Sequence, residues 1–254
     1  MLHTGKQHAE RDQQFRHIAE QREEFRRTGD PRISVDTKKK ELVGQFQNPG
    51  QTWREEGKGE KVNDHDFLTD AVGRAAPYGV YDQERNAGHV CVAMSSDTAD
   101  LAVDTVVEWW HLNQSNYPQS KRLMIEADSG GSNAARSRRY KKRLQEFADD
   151  SGLEIAVCHY PPGTSKWNPI EHRLFSQITI TWAGQVLSTL LVLLGWIRRT
   201  TTQTGLTVTA THTEKKYETG LKVPNKEFKA IQLTRHPVCP QWNYTIRPHP
   251  KNTE

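Results

Sequence analysis

The chain has 254 residues, 34% of them hydrophobic, and a formal net charge of +4. It is long enough to bury a sizeable core and too rich in core-forming residues for a disordered chain, while its mild basicity permits contact with nucleic acid without demanding it. Cys91, Cys158 and Cys239 are far apart and odd in number, which excludes a disulfide framework or a cysteine zinc site and suits a reducing cytoplasm.

Residues 8–28 read as a helix, with Phe15, Ile18, Arg22 and Phe25 recurring on one face and Gly29 with Pro31 ending it. The start is charged throughout and carries no secretory signal. The dense charge predicts a linker helix over 1–30, packed on a larger unit over 31–254. Ile33–Phe46 is strand-like: Ile33-Ser-Val-Asp36 is a largely β-branched run ending in an acid, and Lys38, Lys39 and Lys40 follow in mid-segment. By themselves such lysines read as a solvated turn or edge. Residues 47–76 read as a long irregular excursion, with Trp53, His65 and Phe67 expected to pin it to the core.

Pro77–Asp82 and His89–Met94 read as strands joined by turn chemistry at Asn86 and Gly88. Asp97 is expected to cap a helix whose apolar face runs through Ala99, Ala102, Val103, Val106, Trp109 and Trp110 and which stops at Tyr117-Pro118. Lys121–Asp128 returns as a strand, again ending in an acid, and Gly130 and Gly131 make a tight turn after it. The next helix is expected over Asn133–Asp150, closed by Gly152. It carries Arg136, Arg138, Arg139, Lys141, Lys142 and Arg143, which alone would be a solvated face.

Glu154–Tyr160 reads as a strand with His159 a structural histidine at its end. Pro161, Pro162 and Gly163 form a turn. Asn168 as cap, Pro169 as first helical residue, and Ile170, Leu174, Phe175 and Ile178 at helical spacing start a helix that runs to about Ala183 and holds Glu171 in its first turn. A second helix over 185–199 takes up the longest apolar run, Val186–Ile197, which is short for a membrane span. Gly205–Thr213 alternates like a strand, Lys226–Leu233 reads as a short helix, and Trp242 and Tyr244 are expected to fold back on the core. Three strands followed by alternating helices and strands predict an α/β fold with a mixed sheet flanked by helices.

Three acids stand out from this pattern. Asp36 and Asp128 end buried strands, where an unpaired charge costs several kcal/mol, and Glu171 opens a helix, where the dipole alone would favour it. Together they can converge on a hard divalent cation, which prefers oxygen ligands, in the order D…D…E.

The residues around the acids carry longer motifs: Ile33-Ser-Val-Asp-Thr-Lys-Lys-Lys-Glu-Leu-Val-Gly44, His65-Asp-Phe67, Pro77-Tyr-Gly-Val-Tyr-Asp82, Ala127-Asp-Ser-Gly-Gly-Ser-Asn133, Pro161-Pro-Gly-Thr-Ser-Lys-Trp-Asn168 and Ile170-Glu-His-Arg-Leu-Phe175, with Thr200-Thr-Thr-Gln-Thr-Gly-Leu206 and Gln241-Trp-Asn-Tyr-Thr-Ile246 further on. In these, and over nearly the whole chain from about residue 8, it resembles the Rhodopirellula-type DDE transposase family of bacterial insertion sequences. The resemblance implies a ribonuclease H-like core that cuts and joins transposon DNA. Asp36, Asp128 and Glu171 would hold two Mg2+ or Mn2+ ions, expected ~3.5–4 Å apart as in two-metal sites, with no organic cofactor.

Expected partners are transposon-end and target DNA, with a homo-oligomer as one assembly, in the bacterial cytoplasm at the nucleoid and away from membranes. Phosphate contacts are expected from Lys38, Lys39 and Lys40 beside Asp36 and from Arg136, Arg138, Arg139 and Lys142 after Asp128, while Lys166, Trp167, His172 and Arg173 around Glu171 are expected to bind and position the DNA. The family usually carries a helix-turn-helix domain upstream, for which the expectation here is a truncated copy or a separately encoded domain. It also has a basic stretch after the Glu helix; Thr181–Leu191 keeps Trp182 and Gly184 but not the basic character. A nuclease that cuts without joining, and a truncated copy that only binds DNA, remain open beside this reading.

Overall fold

The computed structural model describes residues 8–63 and 71–250. Its strands are β1 (Arg32–Thr37), β2 (Glu41–Val43), β3 (Gly73–Asp82), β4 (Ala87–Ala93), β5 (Arg122–Ala127), β6 (Glu154–His159), β7 (Thr207–Thr213), β8 (Leu233–Arg235) and β9 (Asn243–Ile246). They lie in the order β7-β4-β3-β1-β5-β6-β9-β8, with β2 paired to β3 off that path. β3 is antiparallel to both β1 and β4, whereas β1, β5 and β6 run parallel. The parallel pairing of β5 with β6 needs a crossover, which the helix between them supplies.

The strands alternate side chains between two covered faces. On one face, α2 (Ala99–Asn113) and α3 (Arg138–Ser151) pack against Ile33, Val35, Tyr78, Val80, Ile125 and Val157. On the other, α1 (Arg11–Thr28) lays Ile18 and Phe25 on Met124, Ala156, Cys158 and Tyr160. Beside it α4 (Ser176–Thr181) and α5 (Leu190–Arg198) set Ile178, Leu193, Leu194 and Ile197 on Val90, Val92, Val208 and Ala210. Arg22 fixes α1 to β5: its guanidinium donates to both oxygens of the fully buried Glu126, at 2.7 and 2.5 Å, and Tyr160 and Gln83 also donate to that carboxylate. A buried carboxylate needs such complete pairing.

Several local expectations are corrected. Trp53 is fully exposed and pins nothing; His65 and Phe67 lie outside the described residues. The excursion is instead fastened to the stretch after α4 by Gly184 N–H to Pro49 O (2.9 Å) and Asn48 Nδ2 to Trp182 O (3.0 Å), with Gly44 N–H to Leu187 O (2.9 Å) just before it. β3 opens at Gly73 because β2 draws its start into pairing, Val43 opposite Gly73. The cap of α2 is Thr98, whose hydroxyl accepts from Leu101 N–H, while Asp97 accepts from the Thr37 hydroxyl at 3.0 Å. A 3-10 turn over Gly131–Asn133 delays α3 until Ser137 can cap it. The late helix, α6 (Asn225–Ala230), stops before Leu233, which enters β8. Trp242 and Tyr244 are buried, as expected from the sequence, and so are Cys91 and Cys158. Among the described residues no helix is long and apolar enough to cross a membrane.

Candidate active site

In the parallel pair of β1 and β5, Val35 lies opposite Ala127. The residues that follow, Asp36 and Asp128, therefore come side by side at the C-terminal ends of two neighbouring strands, Asp36 still paired with Gly79 of β3. Asp36 Oδ1 accepts from Thr37 N–H at 2.8 Å. The main-chain oxygen of Asp128 accepts from His159 Nδ1–H at 2.9 Å, and His159 Nε2 lies 3.3 Å from the Tyr244 hydroxyl. Burial pushes His159 down to about 4, so it is a neutral structural histidine that holds the backbone at Asp128.

Glu171 comes from a third element. Sequence spacing predicts an α-helix here, but Glu171–Phe175 forms a π-helical turn that continues into α4. Such widened turns are frequent at functional sites. This one presents the adjacent residues Leu174 and Phe175 to the sheet together. They fit because β3 and β4 offer Gly79 and Gly88: a Cβ at Gly79 would come within 2.6 Å of Phe175, and one at Gly88 within 2.5 Å of Leu174. Asn168 does not cap with its side chain. The Ser34 hydroxyl of β1 accepts from Ile170 N–H at 3.0 Å, while the Asn168 amide reaches Val35 O and Asp128.

The acids feel one another. Asp36 is pushed up to about 8, first by burial, then by Asp128, with Glu171 and Asp97 adding to the effect and the Thr37 N–H opposing it. Asp128 is also raised by burial, which outweighs its hydrogen bond from Asn168, and Glu171 raises it further. Among the described residues no three His, Cys, Asp or Glu side chains are gathered closely enough to ligate a metal ion as they stand. The donor set nonetheless fits a hard cation: the three side chains are carboxylates, all oxygen, and burial, with the negative charge of Asp128 and Glu171 added to it, pushes Asp36 up to about 8.

A groove of about 1080 Å³ runs beside Glu171, lined by Lys39, Lys40, Arg74, Lys166 and His172 over a floor that includes Phe175 and Trp182. Of the three consecutive lysines only two are exposed. Lys38 is buried, its Nζ 2.6 Å from Glu41 and 4.5 Å above the Trp182 ring. Lys166 lies over Trp167, whose half-exposed ring packs edge-on to Phe15. Arg173 faces a separate recess with Asn86 and Gln177.

The basic residues of α3 are not brought to the groove. α3 packs with α2 on the other side of the sheet. There Arg139 pairs with Asp100 (2.6 Å), Lys142 with Glu227 (2.5 Å), and Arg138 with Asn225 (2.6 Å) while lying over Phe228. Arg136, just before the helix, is exposed. Sequence reasoning missed Ser34, Asn168 in its bridging role, and Arg74. Only Asn168 had a local signal, its place three residues before Glu171.

A family model described as the Rhodopirellula transposase DDE domain matches residues 2–248. Among solved structures, the Mos1 transposase paired-end complex with left transposon end superposes with a TM-score of 0.52 at 12% identity over 78% of this chain and 56% of that one. The Mos1 mariner paired end complex with Mn gives 0.50 at 11% identity, and a pre-cleavage Mos1 transpososome gives 0.50 at 10%, with the same coverage of 78% and 56%. At such identities the likeness is one of fold, the ribonuclease H-like mixed sheet. The chain spans little more than half the length of these relatives. No curated protein matches it in sequence.

Proposed function

We propose that the chain, which belongs to the Rhodopirellula transposase DDE family, cuts and joins the DNA of an insertion sequence by metal-dependent phosphoryl transfer. What supports this reading is that Asp36 and Asp128 end paired parallel strands, that the turn opened by Glu171 packs Phe175 on Gly79 opposite Asp36, and that the charges of Asp128 and Glu171 both act on Asp36. Asp36, Asp128 and Glu171 would hold Mg2+ or Mn2+. Divalent ions bound there supply the positive charge that activates an attacking oxygen, water or a DNA 3′-hydroxyl, and stabilises the leaving one.

The remaining side chains bind and orient. Lys39, Lys40, Arg74 and Lys166 line the groove beside Glu171 and would track the phosphates of transposon-end and target DNA. The exposed ring of Trp167 offers a face on which an unpaired base can stack. α1, fixed through Arg22 to the strand that leads to Asp128, would act as the linker helix that ties any further DNA-binding element to the core. Joining two ends would call for a homo-oligomer.

The test uses DNA carrying the inverted repeats expected beside the coding region. Asp36→Asn, Asp128→Asn and Glu171→Gln should each abolish strand cleavage in Mg2+ or Mn2+ while the protein stays folded. Wild-type cutting by any one of them would remove that residue from the site. Cleavage by the wild-type chain without joining of pre-cut ends would make it a nuclease instead.

A further inference from the structure

Asn168 and Ser34 form a buried polar junction between the three elements that carry the acids. Both are 0% exposed. The Asn168 amide nitrogen donates to Val35 O at 3.2 Å and to Asp128 Oδ1 at 3.1 Å, its amide oxygen accepts from the Ser34 hydroxyl, and its main-chain oxygen accepts from Glu171 N–H at 3.1 Å. Ser34 Oγ in turn accepts from Ile170 N–H at 3.0 Å.

The chemistry allows one arrangement of these protons. A main-chain carbonyl can only accept, so the amide must turn its NH2 toward Val35 O, and Asp128 meets the same nitrogen. The oxygen is then left facing Ser34, whose single proton goes to it because Ser34 already accepts from Ile170. A flipped amide would set oxygen against oxygen at Val35. The junction therefore fixes the rotamer of Asp128, ties the start of the Glu171 turn to β1, and does so one residue before Asp36.

We propose that Asn168 is a positioning residue for the acid trio, with Ser34 orienting Asn168, so that this pair sets how tightly the site takes a divalent cation. The proposal rests on the transposase reading given above. Partners that orient metal ligands typically contribute ~10–100-fold to metal affinity or activity.

The experiment is Mn2+ binding to the full chain without DNA, followed by the Mn2+ dependence of strand cleavage, with thermal melting in parallel. Asn168→Ala should weaken Mn2+ binding ~10–100-fold and raise the Mn2+ concentration for half-maximal cleavage by the same factor. Ser34→Ala should shift both in the same direction, and Ser34→Thr, which keeps the hydroxyl, should restore them toward wild type. A packing role alone would lower melting in Asn168→Ala and Ser34→Ala but leave the Mn2+ affinity of the folded protein unchanged, and that result would overturn the proposal. Should Asn168→Ala not fold, the contrast between Ser34→Ala and Ser34→Thr decides. If wild type binds no Mn2+ and cuts no DNA, the transposase reading falls and the proposal with it; if wild type does both and the variants match it, the proposal falls alone.

Discussion

Gly79 lies directly opposite Asp36 in the antiparallel pair of β3 and β1, and Phe175, from the turn that begins with Glu171, fills the space its missing side chain leaves. A Cβ there would sit 2.6 Å from Phe175 Cε1 and 3.0 Å from Ile170 Cδ1. The separation of a strand acid from the helix acid thus depends on a glycine. Gly79→Ala should cost about 1–3 kcal/mol of stability, as overpacking does, and should lower cleavage by more than the loss of folded protein explains. Gly88→Ala, against Leu174, should cost similar stability with a smaller effect on cleavage. Melting and single-turnover cleavage of both variants check this. Equal cleavage defects would show that the Asp36–Glu171 relation is not set at Gly79.

The acids also make a prediction about pH. Asp36 is raised to about 8 in the folded chain, against about 3.9 for an unperturbed aspartate. The folded state therefore holds a proton that the unfolded state has released, and stability from this group falls as pH rises from about 4 to 8. Without metal, the wild-type melting temperature should drop over that window. Asp36→Asn should flatten the drop and melt higher than wild type at pH 8. Mn2+ should raise the wild-type melting temperature at pH 8 and leave Asp36→Asn nearly unmoved. A metal-free melting curve independent of pH in wild type would rule out the charge crowding on which this depends.

Much of the site is legible in the sequence because acids at strand ends are anomalous. Ile33 and Val35 alternate with Ser34 and Asp36, so one face reads as core and the other as something else. Asp128 repeats the pattern, and Glu171 follows a proline-rich turn. The π-helical turn at Glu171 is not legible. It differs from an α-turn by one residue, and it forms because Leu174 and Phe175 pack on glycines of two distant strands. Arg74 is hidden for a similar reason: only the pairing of β2 with β3, Leu42 opposite Arg74, brings it to the groove. The pairing of the basic run on α3 is not legible either, because its partners, Asp100 on α2 and Glu227 on α6, lie far away in sequence.

The three consecutive lysines should separate into two functions. Lys38 is buried between Glu41 and Trp182, so Lys38→Ala leaves Glu41 without its partner and should cost about 1–3 kcal/mol, with DNA affinity of the folded protein little changed. Lys39→Ala and Lys40→Ala are at exposed positions and should leave melting within ~0.5 kcal/mol of wild type while weakening binding to duplex DNA. Lys38 lines the groove, so a stable Lys38→Ala with reduced DNA affinity would show that it reaches DNA in spite of its pairing with Glu41.

The groove and α3 make opposite predictions for the salt dependence of DNA binding. Each phosphate contact contributes a slope of ~0.9 in log affinity against log salt on duplex DNA. Replacing Lys39, Lys40, Arg74 and Lys166 together by Ala should therefore flatten the slope by up to ~3.6, and should do so about equally for transposon-end and random duplexes, since phosphate contacts carry no base information. Replacing Arg138, Arg139 and Lys142 by Ala should leave the slope nearly intact, because Arg139 and Lys142 are paired with carboxylates and Arg138 with Asn225; the loss should appear as a modest fall in melting temperature. Affinities measured across a salt series for the quadruple and the triple variant decide the matter. A flattened slope in the α3 variant, with the groove variant unchanged, would move the DNA path to the other face of the sheet, away from Glu171, and would separate DNA binding from the acids.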